Sequence, residues 1–163
     1  MKKEHLDNFY NNIAKDEKEV FGLSLPIMLI QKHLFNKGAI LIQNKFNLLN
    51  SEMDVLVSLF FNGKILSPTD LYEATILSSG GMTKILKKLQ EKGYIERIPS
   101  SKDKRSLLVQ ITQEGERITE AGLMLFLKKD TEVFGILEKE EQRMLFKLLK
   151  KVVYSVVEMK SLG

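Results

Sequence analysis

Apolar positions recur at helical spacing over most of the chain and switch to strand-like alternation in one place. Leu6, Phe9 and Ile13 punctuate an otherwise polar first 20 residues, which suits a short amphipathic helix or an arm. From Val20 to Leu49 the apolar residues crowd together: Leu23, Ile27, Ile30 and Leu34, then Ile40, Leu41 and Phe46. That density predicts a long helix buried on more than one side, which Pro26 either starts or kinks. Ser51, with Asp54 three residues on, resembles the capped head of a helix that buries Val55, Leu56, Leu59 and Phe60 and stops at Asn62-Gly63. Ile65-Leu66 suits a short strand. Ser67 as cap and Pro68 at the first helical position predict a short helix from about Pro68 to Thr75. A turn over Leu77 to Gly81 leads to a third helix, from about Ser79 to Lys92, with Met82, Ile85, Leu86 and Leu89 on its apolar face and Gly93 ending it. Tyr94 to Ile98 and Ser106 to Ile111 then read as two strands, with Pro99 to Arg105 as the polar hairpin between them. Two long helices finish the chain. One starts at Thr112-Gln113-Glu114-Gly115 and reaches about Phe134; the other runs from about Lys139 to Met159 and carries Met144, Leu145, Leu148, Leu149, Val152, Val153 and Val156.

Helix, turn, helix and a two-stranded hairpin make a winged helix-turn-helix, so the predicted class is mainly α with a small β-hairpin wing. The order of elements divides the chain into a helical part at 1–49, a winged helix-turn-helix at 50–115 and two further helices at 116–163. Charge sharpens this picture. Lys84 to Arg105 holds eight basic residues (Lys84, Lys87, Lys88, Lys92, Arg97, Lys102, Lys104 and Arg105) against three acids, Glu91, Glu96 and Asp103, a surplus of five. The whole chain has a surplus of only four, from 25 Lys and Arg against 21 Asp and Glu, so everything outside this segment is net negative by one. Positive charge focused on a helix, turn and hairpin is what gripping nucleic-acid phosphates requires. A major groove admits one helix, the preceding helix braces it against the backbone, and a basic hairpin tip reaches the neighbouring minor groove.

Other functions lack their residues. No apolar run approaches the ~20 residues of a membrane span. The N-terminal MKKEHLDNFYNN has no apolar core behind its lysines, unlike a signal peptide. The chain has no cysteine, which removes disulfides, thiolate metal sites and thiol redox sensing and suits the cytoplasm. His5 and His33 are far apart in sequence, so no transition-metal site is expected. There is no phosphate loop, since Asn62-Gly63-Lys64 lacks the upstream glycine, and there is no dinucleotide fingerprint or nucleophile–base pair. Neither an enzyme nor a cofactor is expected.

From Asn50 to Gly115 the chain resembles the MarR family of bacterial transcription regulators. The resemblance rests on LNSEMDVL at 49–56, SPTDL at 67–71, LSSGGMTKILKKLQEKGYIER at 77–97, DKR at 103–105 and ITQEG at 111–115. Each piece is weak alone; order and spacing together are specific. One departure is that Lys102 and Lys104 flank Asp103 where relatives often carry a second arginine.

The resemblance implies roles. Ser78, Ser79, Gly80, Met82, Thr83 and Lys84 open the helix placed in the major groove. Ser78 or Ser79 either caps that helix or contacts DNA, and Met82 either packs inward or touches a base, while Thr83 and Lys84 are expected to contact DNA. Lys87 and Lys88, a turn further on, either meet phosphates or stay solvated. Arg105 enters the minor groove or organises the wing tip, and Asp103 holds its geometry, with Arg97 its partner across the hairpin. Otherwise these three form a surface ion pair contributing under about 1 kcal/mol. The stripe Leu145, Leu148, Leu149, Val152 and Val156 is either internal core or, as the resemblance implies, part of a homodimerisation lobe built from both ends of the chain, 1–49 and 116–163, which calls for a pseudo-palindromic operator on double-stranded DNA. Many relatives respond to a small-molecule effector in a crevice between lobes; His33, Phe60 and Phe61 are the candidates here. The expected function is a dimeric transcription regulator, most often a repressor, against the alternative of a winged-helix protein-interaction module that does not read DNA.

Overall fold

A computed structural model of the chain describes residues 2–13, 20–75, 81–100 and 106–160. Seven helices and three strands occupy them: α1 (Lys3–Ile13), α2 (Phe21–Phe46), α3 (Asn50–Phe61), β1 (Ile65–Leu66), α4 (Pro68–Ala74), α5 (Met82–Glu91), β2 (Ile95–Pro99), β3 (Leu107–Ile111), α6 (Gln113–Phe134) and α7 (Lys139–Lys160). The fold is a winged helix, mainly α, with helices on both sides of it in sequence. By internal contacts the chain forms two compact units, Met1–Leu125 and Phe126–Gly163.

In the first unit the strands form one antiparallel sheet in the order β1-β3-β2. Ile95 pairs with Ile111 and Pro99 with Leu107, while β1 adds Ile65 against Gln110 and Leu66 against Val109. Pro99 therefore closes the strand rather than opening the hairpin, and Tyr94 stays outside it. The core lies between this sheet and α3, α4 and α5. Leu56, Leu59, Leu71, Leu89 and Val109 are fully buried, and Leu86 and Ile95 nearly so.

Local chemistry sets the boundaries. Ser67 Oγ accepts from the Asp70 amide at 3.1 Å with Pro68 at the first helical position, as the sequence predicts. Ser51 does not cap α3; it lies within the helix. Leu49 holds the cap position with a side chain that cannot accept, and Glu52, not Asp54, supplies the one side-chain arm by accepting from the Leu49 amide at 2.9 Å. Asn47 ends α2 in the left-handed conformation, with φ of 52°, and the fully buried Leu48 pins the link to α3. Pro26 lies inside α2 rather than at its start. Within α2 only Gly38 and Ile42 are buried, whereas Leu23, Ile27 and Ile40 are exposed. The expectation of burial on several sides fails because one chain covers only part of this helix. Phe60 is half-buried, not buried like Val55, Leu56 and Leu59.

The junction between sheet and α6 explains the motif ITQEG. Thr112 Oγ1 donates to the Gly93 carbonyl at 2.7 Å and accepts from the Gly115 amide at 3.0 Å, while the Thr112 amide donates to the Tyr94 carbonyl at 3.0 Å. A Cβ added at Gly115 would sit 2.1 Å from that Tyr94 oxygen and 2.8 Å from Ile111 Cγ1. Backbone oxygen cannot retreat as a flexible side chain can, so glycine is required there by close approach.

The second unit holds the end of α6 and the whole of α7, joined by a turn. Its turn follows Phe134, and Gln142 Nε2 donates to the Phe134 and Leu137 carbonyls at 3.2 and 3.0 Å. Glu141 accepts from the Glu138 amide at 2.8 Å to start α7. No α7 side chain from Lys139 to Met159 is buried.

Gly115→Ala should destabilise the protein by roughly 1–3 kcal/mol, the range for forcing an atom into a filled site. Urea unfolding measures this; an unchanged midpoint would mean that α6 moves away from Tyr94 freely.

Candidate nucleic-acid interface

The turn before α5 falls partly outside the described residues, as do the sequence-predicted contacts Ser78, Ser79 and Gly80. Helix α5 begins at Met82, not Ser79, with Gly81 as its cap residue in the left-handed conformation at φ of 86°. The Gly81 carbonyl accepts from the Lys84 and Ile85 amides at 2.8 and 3.1 Å, starting the helix in one step.

Successive residues of an α-helix are 100° apart, so α5 presents distinct faces. Ile85, Leu86 and Leu89 are buried and Met82 is half-buried, which fixes the inner face. Thr83, Lys84 and Lys87 are exposed on the opposite side, brought together there with Glu91. Lys87 Nζ lies 3.8 Å from Glu91 Oε1, one turn away, and both side chains are exposed. Such a pair is worth only about 0.3–0.5 kcal/mol and gives way to a stronger anion.

Lys88 and Lys92 lie on the flank instead and lean on one buried carboxylate. Glu52 is 2% exposed. Its Oε1 is 3.8 Å from Lys88 Nζ and its Oε2 is 3.3 Å from Lys92 Nζ. Lys92 Nζ also donates to the Asn47 carbonyl at 2.7 Å. Adjacent Lys87 and Lys88 thus face different surroundings, Lys87 turning outward and Lys88 partly inward. The roles of Glu52, Lys92 and Asn47 were not anticipated from sequence. The available signal was a lone acid in the first turn of an apolar helix, SEMDVL, and a lysine just past the end of the basic helix.

Helix α4 is held against α3 by Ser58, whose Oγ donates to the Ala74 carbonyl at 3.2 Å and so satisfies an orphan group at the α4 C-terminus. In the wing, Arg97 is half-buried on β2 opposite Val109. The Ser100 amide donates to the Ser106 carbonyl at 2.9 Å, closing the hairpin stem. Lys102, Asp103, Lys104 and Arg105 lie outside the described residues. Phe60 and Phe61 meet edge to face at 5.4 Å; Phe61 is exposed, as is His33 on α2. The apolar groove between α1 and α2, about 380 Å³, is lined by Phe9, Ile13, Phe21, Ser24, Leu25 and Met28, none of them an effector candidate.

Known proteins share this arrangement. A model of the MarR family matches residues 46–106. The HTH-type transcriptional regulator BilQ of Clostridium symbiosum is 35% identical over 86 residues, which span 53% of this chain and 60% of that protein. An uncharacterized HTH-type transcriptional regulator of Bacillus cereus is 30% identical over 109 residues, spanning 66% of this chain and 71% of its own length. The chain belongs to the MarR family. Among solved structures, a mutant MarR from Escherichia coli complexed with operator DNA is 27% identical with a TM-score of 0.66, covering 82% of this chain and 95% of that one. The matched family region ends within the wing, so it contains α3, α4, α5 and β2, the elements that position the basic face of this MarR-family chain. No described helix is long and apolar enough to cross a membrane.

Lys84→Ala should alter stability by less than about 0.5 kcal/mol, as for an exposed site, whereas Ile85→Ala should cost about 2–5 kcal/mol. Urea denaturation of the pair checks the helix orientation. A Lys84 cost on the Ile85 scale would place that lysine in the core.

Proposed function

We propose that this protein is a transcription regulator, acting as a homodimer that inserts α5 of each copy into successive major grooves of a pseudo-palindromic operator. The observation that carries the reading is the outward face of α5, where Thr83, Lys84 and Lys87 are exposed on a helix whose opposite face is locked into the core. A helix held on one side and basic on the other presents its side chains at fixed positions, which base readout needs and generic charge attraction does not. That the related Escherichia coli MarR is complexed with operator DNA supports DNA as the partner. Met82 at the start of α5 and Lys88 on its flank stand at the margins of this face, with Ser78, Ser79 and Gly80 completing it before the helix.

In this reading the wing follows the adjacent minor groove. Arg105 enters it, Asp103 and Arg97 hold the tip, and Lys102 and Lys104 meet phosphates. Repression follows if the operator overlaps a promoter. A small-molecule effector bound near His33, Phe60 and Phe61 then relieves it.

Dimerisation is supported by α7. Leu148, Leu149, Val152 and Val156 are exposed and Leu145 is half-buried, and all five share one helical face by their spacing. An apolar stripe of this length left in water is a liability unless a second copy covers it.

Fluorescence anisotropy with duplex from the gene's own upstream region, beside a scrambled duplex and across a salt series, tests the regulator. Preference that persists at physiological salt is expected. Equal binding to both duplexes, vanishing with salt, would favour the protein-interaction module instead. Lys84→Ala should weaken specific binding and lower the salt slope by about one. Arg105→Ala should cut binding while leaving fold and dimer intact. Leu149→Asp should turn the dimer into a monomer in light scattering; a surviving dimer would remove α7 from the interface.

A further inference from the structure

Glu52 is a carboxylate almost wholly removed from solvent, and neither grip on phosphates nor ordinary core packing calls for it. Its partners come from the head of its own helix and from the end of α5. The Leu49 amide donates to Oε2 from the head of α3 at 2.9 Å, and Lys88 of α5 and Lys92 just past its end approach the two oxygens at 3.8 and 3.3 Å. Lys92 reaches on to the Asn47 carbonyl at 2.7 Å, in the residue that ends α2. The C-terminus of α2, the N-terminus of α3 and the C-terminus of α5 thus meet at one charged node.

The location of this node on α5 matters. Apolar packing through Ile85, Leu86 and Leu89 fixes which face of the helix is inward, but hydrophobic contact is non-directional and leaves the last few degrees of rotation to other interactions. A hydrogen-bonded ion at the flank is directional. Lys92 is two turns beyond Lys84, so a few degrees of roll permitted at this end shifts the exposed tips at the other. Base-edge hydrogen bonds fail over such displacements, whereas contacts between a mobile lysine and a phosphate survive them.

We propose that Glu52 and Lys92 are positioning residues that set the rotation of α5, and thereby sequence discrimination rather than general affinity for DNA. This rests on the DNA-binding reading above. Lys92 in this role is not a phosphate contact, although it belongs to the most basic stretch of the chain, and Lys88 is shared between the node and the solvent-facing side.

The test uses the full-length protein and two variants, Lys92→Met, which keeps the stem and removes the charge, and Glu52→Gln, which keeps the shape. A duplex is first selected from a random library with the wild type. Anisotropy then compares that duplex with a scrambled one across a salt series, after circular dichroism has established that each variant is folded. Lys92→Met should lose roughly tenfold on the selected duplex, equivalent to one good base contact. On the scrambled duplex it should change by less than about twofold, with an unaltered salt slope. Equal losses on both duplexes, with the slope reduced by about one, would make Lys92 a phosphate contact and overturn the proposal. Unchanged binding to both would overturn it as well. Amide hydrogen exchange is the second measurement and needs no DNA. In both variants the α5 amides should exchange faster while those of β3 do not, and equal rates in α5 would sink the lock. Should the wild type select no sequence at all, the regulator reading fails, and the exchange data alone support or overturn the lock.

Discussion

The wing can serve α5 only if the sheet is anchored to the helices, and that anchor is the contact of Thr112 and Gly115 with the Gly93-Tyr94 turn. Thr112 makes four hydrogen bonds at once, two through its hydroxyl, one through its amide and one through its carbonyl, which accepts from the Glu116 amide. Its hydroxyl caps α6 while holding the Gly93 carbonyl just after the end of α5. The approach is close enough that Gly115 has no room for a methyl group against the Tyr94 oxygen. Gly93, at φ of 73°, supplies the left-handed turn that points both carbonyls toward α6. The end of α5, the start of β2, the end of β3 and the start of α6 therefore share one junction, and a shift in any of them would be felt by the others.

The same economy governs α5. Its inner face is fixed by three buried aliphatic residues and its flank by Glu52, which leaves the outer face free of structural duties. That division explains how a surface can carry Lys84 and Lys87 without a cost to folding. Their charges stay solvated, and the nearby Glu91 lies 3.8 Å from Lys87, a pairing that a phosphate easily displaces. The buried acid is set apart from these lysines. Were Glu52 on the outer face, it would repel the phosphates the face is proposed to meet.

Most of the element order was legible because it rests on local chemistry. Ser67-Pro68, Asn62-Gly63 and Gly93 announce starts and stops through capping and left-handed turns, and the period change at Tyr94 marks the sheet. The cap of α3 was misjudged because Ser51 and Asp54 carry the usual cap side chains. What closes the helix start is the Glu52 carboxylate accepting from the Leu49 amide three residues back, which a leucine at the cap position does not advertise. The outward set on α5 was legible in part. Charge counting found the segment, but it could not separate Lys84 and Lys87 from Lys88 and Lys92, because Lys88 and Lys92 turn toward a buried carboxylate on another helix, some 40 residues away. The third strand follows the same logic, since two residues, Ile65 and Leu66, form a strand only because β3 offers them an edge.

The helices outside the winged helix raise a different physical question. Dense apolar sequence in α2 suggests burial on several faces, yet Leu23, Ile27 and Ile40 are exposed, and α7 has no buried side chain from Lys139 to Met159. Burying an aliphatic side chain is worth about 1.5–3 kcal/mol, so this much uncovered surface is a large unused driving force. It cannot be attributed to a want of helix-forming residues, since both helices are long and α7 is well started by Glu141. Two stable helices with open apolar faces are the expected state of a chain whose core is completed by another copy of itself. In the proposed dimer this surface does more than add stability. It joins two α5 helices across a two-fold axis, and a ligand that changes how the copies meet changes the spacing at which they reach DNA. An effector then needs no contact with α5 to control binding, and a substitution in α7 can abolish operator recognition while every DNA-facing residue remains intact.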